Sequence, residues 1–545
     1  MNTPPKDTDG PPPIDARRHD LDALRGFAML LGIALHAVVA YVPANTADNP
    51  SPSAILFALF MSATHGFRMP LFILLSGYFT AMLWRKRGLR SLLIHRFKRV
   101  FVPCLLAVLA IMPFVIGISI AAQKAEASKS SLWKAASDGN LERIQFHLEK
   151  GANIDAQKPK TGITPLILAA SNGRGEAVSY LLEQDAQVDL QAKDSSSPLH
   201  AAALYGRAEI ARLLIEQGAD PHIRRNDGIT PYNLTQLSWK ATQRIAKWSK
   251  VEVDQVEVQA GRLEIAAMLG EQTDTAFTPL ERYRGLTRGP LFAFPIFGHM
   301  WFLWYLCWLI GLFAICVVIA RRLRIKQLPN WMLLSRKRYL WLIPLAVVPQ
   351  SLMSNPTSFG PGTSSGLLPM PHILLYYGIF FAFGALYYQR KPNDRKVGRS
   401  WKASLPFALL FLFPTGFAIG LGNAATGFDP NAVHLTNLVI SVSYTWLMIF
   451  GLIGLFRGAL DRSIPWVRYL SDSSYWLYLA HLPLVFYMQF LMRDWSVSPF
   501  LKFGFICLIA TTLLLLSYEY LVRYRWLGKL LNGPRKRRTP MLQSD

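Results

Sequence analysis

The sequence predicts an all-α, polytopic membrane protein of about ten transmembrane helices, with a soluble repeat solenoid inserted between the third and fourth. Three observations carry this. Apolar runs near the length that a bilayer demands recur along the 545 residues. The short loops between them alternate between strongly basic and free of Lys and Arg. One long polar segment repeats itself every 33 residues. Composition agrees, with 51% hydrophobic residues, 15 Trp, 32 Phe and a mean hydropathy of +0.22, values that suit membrane spans carrying soluble mass.

Residues 1–20 are polar and proline-rich (PPKDTDGPPPIDARRHD), which predicts a disordered tail. No apolar core followed by a small-residue cleavage site is present there, so no removable signal peptide is expected. Spans are placed at 21–43, 66–84, 100–121, 298–320, 339–355, 371–389, 404–422, 433–456, 474–492 and 499–522. The membrane part thus falls into two pieces, 21–122 and 290–522, followed by a basic tail at 523–545. The second span begins inside a longer apolar stretch that starts at Ala54. The fifth, LWLIPLAVVPQSLM, is short and contains proline, so a kink or tilt is expected.

Orientation follows from the loops. Segments 85–99, 321–338, 390–402 and 523–538 are rich in Lys and Arg, whereas 43–53, 354–372 and 422–432 contain none. The positive-inside rule therefore puts both termini in the cytoplasm. A bacterial inner membrane is the expected site.

Between the third and fourth spans, residues 129–272 change character. "GITPLILAASNGRGEAVSYLLEQDAQVD" is followed by "SSSPLHAAALYGRAEIARLLIEQGADPH" and then "GITPYNLTQ", with Pro165, Pro198 and Pro231 each 33 residues apart. "SLWKAASDGNLERIQFHLEKGANID" precedes them as an earlier copy. The pattern resembles the ankyrin repeat, a turn plus two antiparallel helices per unit. "GRLEIAAML" at 261–269 returns 55 residues after "GRAEIARLL" at 206–214, one repeat plus an insertion of 22. Loop parity places this segment in the periplasm, since long loops cross regardless of their charge. A spacer and a stack with a protein or glycan partner are both open readings.

The net charge is +24. Residues 129–272 hold 17 Lys and Arg against 18 Asp and Glu, so the excess sits beside the spans. Topology and anionic lipid headgroups account for it, and no nucleic-acid partner is expected. Cys104, Cys307, Cys316 and Cys507 lie in apolar runs without metal-like spacing. They read as small buried hydrophobes, and no metal is expected.

The first span, LDALRGFAMLLGIALHA, carries Asp22, Arg25 and His36. At about 100° per residue, Arg25, Gly32 and His36 fall within about 20° of one line, and Asp22 within about 60° of it. Such a stripe faces protein or water rather than lipid. An ionisable group inside a membrane is a functional candidate. His36 can act as a base near neutral pH or bridge two helices in its neutral form.

"LDALRG" followed by His36, "FRMPLFILLSGYFTAMLWRKR" (67–87), "HRFKRVFVP" (95–103), "GHMWFLWYL" (298–306) and "SSYWLYLAHLPLV" (473–485) together resemble the acyltransferase-3 family of membrane O-acyltransferases. The resemblance implies transfer of an acetyl or succinyl group from cytoplasmic acyl-CoA to a hydroxyl of a periplasmic or cell-surface glycan, within the lipid bilayer. It implies His36 as the catalytic base. It implies Arg96 and Arg99, an Arg-x-x-Arg pair, on the phosphates of coenzyme A, where guanidinium groups pair well; ordinary positive-inside arginines are the other reading. Arg25 reaches the same phosphates or pairs with Asp22. His65 and Arg68 orient the acceptor, or cap and snorkel at the end of the second span. His299 and His481 line the cavity or serve packing. Asp22, Gly32, Ser76, Gly77 and Trp301 are expected as structural support. A transporter or flippase for a glycan or lipid shares the span count, but clear matching halves are missing. An ankyrin-bearing scaffold or receptor leaves Arg25 and His36 without a role.

Overall fold

The computed structural model describes residues 18–42, 51–127, 131–249, 251–270, 283, 287, 290–293, 296–324, 328–353, 359–389, 396–421, 430–460, 462, 464–493 and 495–533. No strand occurs among them. The tail to residue 17, most of loops 43–53 and 422–432, and residues 534–545 lie outside the described residues. Two compact units emerge, one of residues 1–119 with 290–545 and the other of residues 120–289.

The first unit opens with α1 (His19–Val38). Arg18 donates to Asp20 at 2.8 Å, and the fully buried Asp20 also faces Arg457 at 3.5 Å. The helix therefore begins inside the stretch that the sequence assigns to the tail. α2 (Pro52–Arg96) starts on Ser51, whose hydroxyl accepts from the Ala54 amide. It leads through a π turn at Phe97–Phe101 into α3 (Val102–Ala127). The basic segment 85–99, expected as a loop, is thus helical. A single break at Gly88, with φ +76°, redirects the chain, a conformation that glycine takes without steric penalty.

The second unit is built of helix pairs: α4 (Leu132–Asp138) with α5 (Leu141–Glu149), α6 (Pro165–Ser171) with α7 (Gly175–Glu183), and α8 (Pro198–Leu204) with α9 (Ala208–Glu216). Thr164, Ser197 and Thr230 cap successive first helices, each accepting a backbone N–H three residues on, with proline next in line. The proline needs no donor at that position and fixes φ for the helix. Two residues before each cap the chain turns left-handed, at Gly162, Ser195 and Gly228.

After α10 (Pro231–Thr235) the insertion forms its own helix, α11 (Trp239–Ser249), before α12 (Gln255–Leu269) completes the stack. Arg262 of α12 is buried and clamps the extra helix. Its guanidinium donates to the Leu237 carbonyl at 2.7 Å, the Thr242 hydroxyl at 2.8 Å and the Leu204 carbonyl.

The bundle resumes with α13 (Trp301–Arg322), α14 (Tyr339–Ser351), α15 (Pro371–Tyr388), α16 (Trp401–Phe407), α17 (Phe413–Leu421), α18 (Pro430–Leu460), α19 (Pro465–Met492) and α20 (Pro499–Ser517). A π turn joins α16 to α17 into one stretch. A helix stands at every position where the sequence places a span.

Seven stretches of the described residues are long and apolar enough to cross a membrane. One of them, Pro52–Ile118, contains two expected spans. α14 has 13 residues, roughly 20 Å of rise, against a hydrocarbon core of about 30 Å. α19 is long, but Ser471, Ser473, Ser474, His481 and Gln489 dilute its apolar character.

α2 and α15 touch backbone to backbone. A Cβ at Gly77 would strike the Phe381 carbonyl, and one at Gly384 would strike the Leu74 carbonyl. Close approach of this kind is how small residues let membrane helices pack. Trp301 packs its ring on Tyr305 and Tyr377 at centroid distances of 5.5 and 5.3 Å. Cys104 is buried and Cys307 and Cys507 half-buried, but Cys316 is exposed on α13, at odds with the reading of all four as buried.

Candidate functional site

The polar stripe of α1 runs further than three residues. Arg18, Asp22, Arg25, Met29, Gly32 and His36 follow one another at spacings of four and three, which keeps them on one face. The first four line a cavity of about 640 Å³ inside the membrane unit. From Arg18 to Met29 the cavity follows α1 for roughly 16 Å.

Arginines dominate its walls. α2 contributes Arg68 and Arg96, and the following π turn adds Arg99. Arg25 donates to the carbonyl and hydroxyl of Ser471 on α19, at 2.9 and 2.8 Å, and stands 3.7 Å from Asp22. The Ser471 hydroxyl in turn donates to Asp22. This network fixes Arg25 while leaving a third of its side chain exposed to the cavity. The Asp22 partner of the sequence reading is therefore present. Arg96 donates to Thr80 at 3.1 Å, and Tyr475 holds the Arg99 carbonyl at 2.8 Å.

Phe72, Met29, Phe302 and Tyr478 enclose the cavity at Arg68. The Arg68 side chain crosses from α2 to α1, where its guanidinium covers the bare backbone of Gly32. Arg68 therefore shares the cavity of Arg25, Arg96 and Arg99.

One turn beyond Gly32 stands His36. Its ring centre lies 5.1 Å from that of His481, and His481 lies 5.7 Å from His299. The Nδ1 of His481 reaches the Tyr478 and Leu477 carbonyls at 2.8 and 3.0 Å, so that nitrogen carries the proton. Nε2 is then a lone pair, buried and without a hydrogen bond. His299 uses Nε2 on the Leu479 carbonyl at 3.3 Å, and its Nδ1 is likewise unpartnered. Gln489 donates to the His36 and Ala37 carbonyls, tying the end of α1 to α19. Among the described residues no group of three or more His, Cys, Asp or Glu is arranged to hold a metal ion.

The structure brings His36, His299 and His481 together, and separately gathers Arg25, Arg68, Arg96 and Arg99. His65, within electrostatic range of His36 and Arg68, donates from Nε2 to the Pro361 carbonyl at 3.0 Å and so anchors the segment before α15. Ser76 lines the cavity while its hydroxyl donates back to the Phe72 carbonyl. Gly77 belongs to the α2–α15 contact. Sequence reasoning missed Arg18, Lys86, His95, Ser471 and Tyr478, all on the cavity wall. Extending the four-and-three spacing of α1 backwards from Arg25 would have reached Arg18. Ser471 and Tyr478 stand seven apart on α19, a repeat that signals one face.

Comparison with known proteins gives two family matches. A profile described as an acyltransferase domain matches residues 18–137 and 238–519, and one for ankyrin repeats, three copies, matches 132–225. Glucans biosynthesis protein C of Escherichia coli K12 is 35% identical over 116 residues, which is 21% of this chain and 30% of that protein. Its counterpart in Escherichia coli O1:K1 / APEC is 34% identical over a stretch of the same length. The alignment spans less than a third of the length of these curated relatives.

Proposed function

Because this chain belongs to the acyltransferase-3 family, we propose that it moves an acetyl or succinyl group from cytoplasmic acyl-CoA to a hydroxyl of a periplasmic or cell-surface glycan. The observation that carries the reading is the cavity that runs along α1 between Arg25, Arg96 and Arg99 and ends at Met29, two turns short of His36. Guanidinium groups bind phosphate by paired, charge-assisted hydrogen bonds. Coenzyme A enters with its phosphates on these arginines, and its thioester points along α1 toward His36. The acceptor approaches His36 from the other side of the membrane.

His36 then takes the proton of the acceptor hydroxyl as its oxygen attacks the thioester carbonyl carbon. Collapse of the tetrahedral intermediate expels the thiolate, which receives that proton from His36. The relatives named for glucans biosynthesis support a glucan acceptor. Basic loops on one side support cytoplasmic termini in an inner membrane. By the same parity the ankyrin repeats, bounded at residues 129–272, stand in the periplasm and present the acceptor or a protein that carries it.

The test uses purified protein with radiolabelled acetyl-CoA and succinyl-CoA and isolated envelope glycans. Label appearing on the glycan from either donor is the expected result. Label that stays on coenzyme A with every glycan rejects the assignment.

A further inference from the structure

We propose that Arg68 stabilises the oxyanion of the acyl-transfer intermediate, an inference that rests on the acyltransferase reading above. Arg68 is 8% exposed, on an α2 segment expected to cross the membrane. Among the described residues its guanidinium donates no hydrogen bond and meets no carboxylate, and its Nε is buried without a partner. The neighbouring cations share an unpartnered Nε but have partners elsewhere on the guanidinium. Arg25 is held by Ser471 and Asp22, and Arg96 by Thr80. A buried charge without a counter-charge is unfavourable, so the site is completed by an anion that comes and goes.

Position decides which anion. The phosphates of coenzyme A have Arg25, Arg96 and Arg99 at the other end of the cavity. Arg68 instead lies over Gly32, whose missing side chain is what admits the guanidinium. Four residues on, about 6 Å along the axis and on the same stripe, is His36. A thioester carbonyl reaching His36 passes this guanidinium. When the hydroxyl oxygen bonds to the carbonyl carbon, the carbonyl π pair moves onto oxygen, and the new charge falls beside Arg68. Collapse returns that pair to the carbonyl as the carbon–sulfur bond breaks, and the thiolate leaves with the proton from His36. A donor fixed in place beforehand, in a site shielded from water, is the usual origin of large rate effects.

The test measures kcat, KM and coenzyme A affinity of the full-length protein with acetyl-CoA and succinyl-CoA. Arg68→Met is expected to lower kcat about 10²–10³-fold with both donors while coenzyme A affinity stays unchanged. Arg68→Lys is expected to recover part of the rate. Gly32→Ala keeps the arginine but pushes its guanidinium aside, so it should lower kcat in the same direction without removing a charge. Thermal unfolding of each variant checks the fold, and Gly32→Ala and Arg68→Lys carry the test if Arg68→Met is unstable.

Three results overturn the proposal: an unchanged kcat in stable variants, a loss confined to succinyl-CoA, which makes Arg68 a reader of the acyl carboxylate, or a loss of coenzyme A affinity at full kcat. Absence of transfer by the unaltered protein rejects the acyltransferase reading itself, a distinct outcome.

Discussion

The ring of His481 lies 5.1 Å from that of His36, with its protonated Nδ1 locked on the Tyr478 carbonyl. His481 is held in place by that bond and keeps a free lone pair on Nε2, so the proposed role of His36 as base is tested by removing His36 alone. His36→Ala should reduce acyl transfer 10²–10⁴-fold, the range for loss of a positioned base. Coenzyme A binding should survive, because His36 does not line the arginine cavity. Transfer assays paired with calorimetric titration of coenzyme A decide this, and wild-type turnover in the variant would refute the role.

Arg96 and Arg99 follow one another on the wall of the cavity, and neither forms an ion pair among the described residues. Arg96→Met and Arg99→Met should each raise the KM for acyl-CoA about tenfold while leaving kcat within a factor of three. That corresponds to about 1.4 kcal/mol, in the range of a charged hydrogen bond. The wild-type KM should rise with salt and the variants' less so, since screening acts on the lost charge. A salt response identical in all three proteins would remove the phosphate assignment.

Topology can be read with single cysteines in a background lacking the native four. Cysteine at Ser51 or Thr363, both exposed, should react with an impermeant maleimide in intact cells. Cysteine at Lys98 or Ser400 should react only after lysis. Thr363 serves better than its neighbour Ser364, which is buried. The reverse labelling pattern would invert the sides assigned to donor and acceptor.

In the repeat unit, the Ser197 amide donates to Nδ1 of His200, whose Nε2 reaches the Ile229 carbonyl at 3.0 Å. Burial pushes the His200 pKa down to about 4, against 6.5 for a free imidazole. The unfolded chain therefore binds a proton first as pH falls. Stability from this residue is fully present above pH 6.5 and is lost progressively down to pH 4, by on the order of 3 kcal/mol. Hydrogen exchange of the repeat helices in the full-length protein should accelerate over that window, and less so in His200→Gln. Equal pH dependence in the two proteins would assign the effect elsewhere.

Ser195 holds φ +61° where the neighbouring repeats place Gly162 and Gly228. A left-handed backbone costs a side-chain-bearing residue about 1–2 kcal/mol, part of which glycine returns as chain entropy. Ser195→Gly also removes the exposed hydrogen bond to Asn226, so a net gain of about 0.5–1 kcal/mol is expected. Slower exchange in α8 and α9 would register it, and faster exchange would mean that the hydroxyl matters more than the strain.

The stripe of Arg25, Gly32 and His36 was legible because a helix repeats locally, so residue type and spacing suffice. The same holds for the capped helices that begin at Pro165, Pro198 and Pro231. What joins α1 to other helices was not legible. Arg68 covering Gly32, Ser471 holding Arg25 and His481 meeting His36 pair residues from 36 to about 450 positions apart, and only packing sets them. The basic segment 85–99 misled because charge density suggests a loop, whereas the chain is helical on both sides of a single break at Gly88. The insertion of 22 residues was visible as a shift in period. That it folds into α11 around the guanidinium of Arg262 depends on carbonyls from two other segments.

The backbone contact at Gly77 and Gly384 makes α2 and α15 a single beam. With carbonyls against α-carbons there is no side-chain cushion, so one helix cannot slide or roll without the other. Arg68 rides on that beam and α1 lies across from it. Under the acyltransferase reading, admission of the acceptor and release of the spent donor are then left to helices outside that beam, such as α1 with α19, the pair joined by Gln489 and Ser471. Turnover would then be paced by how readily that pair parts from the beam, a tempo set far from any reacting atom.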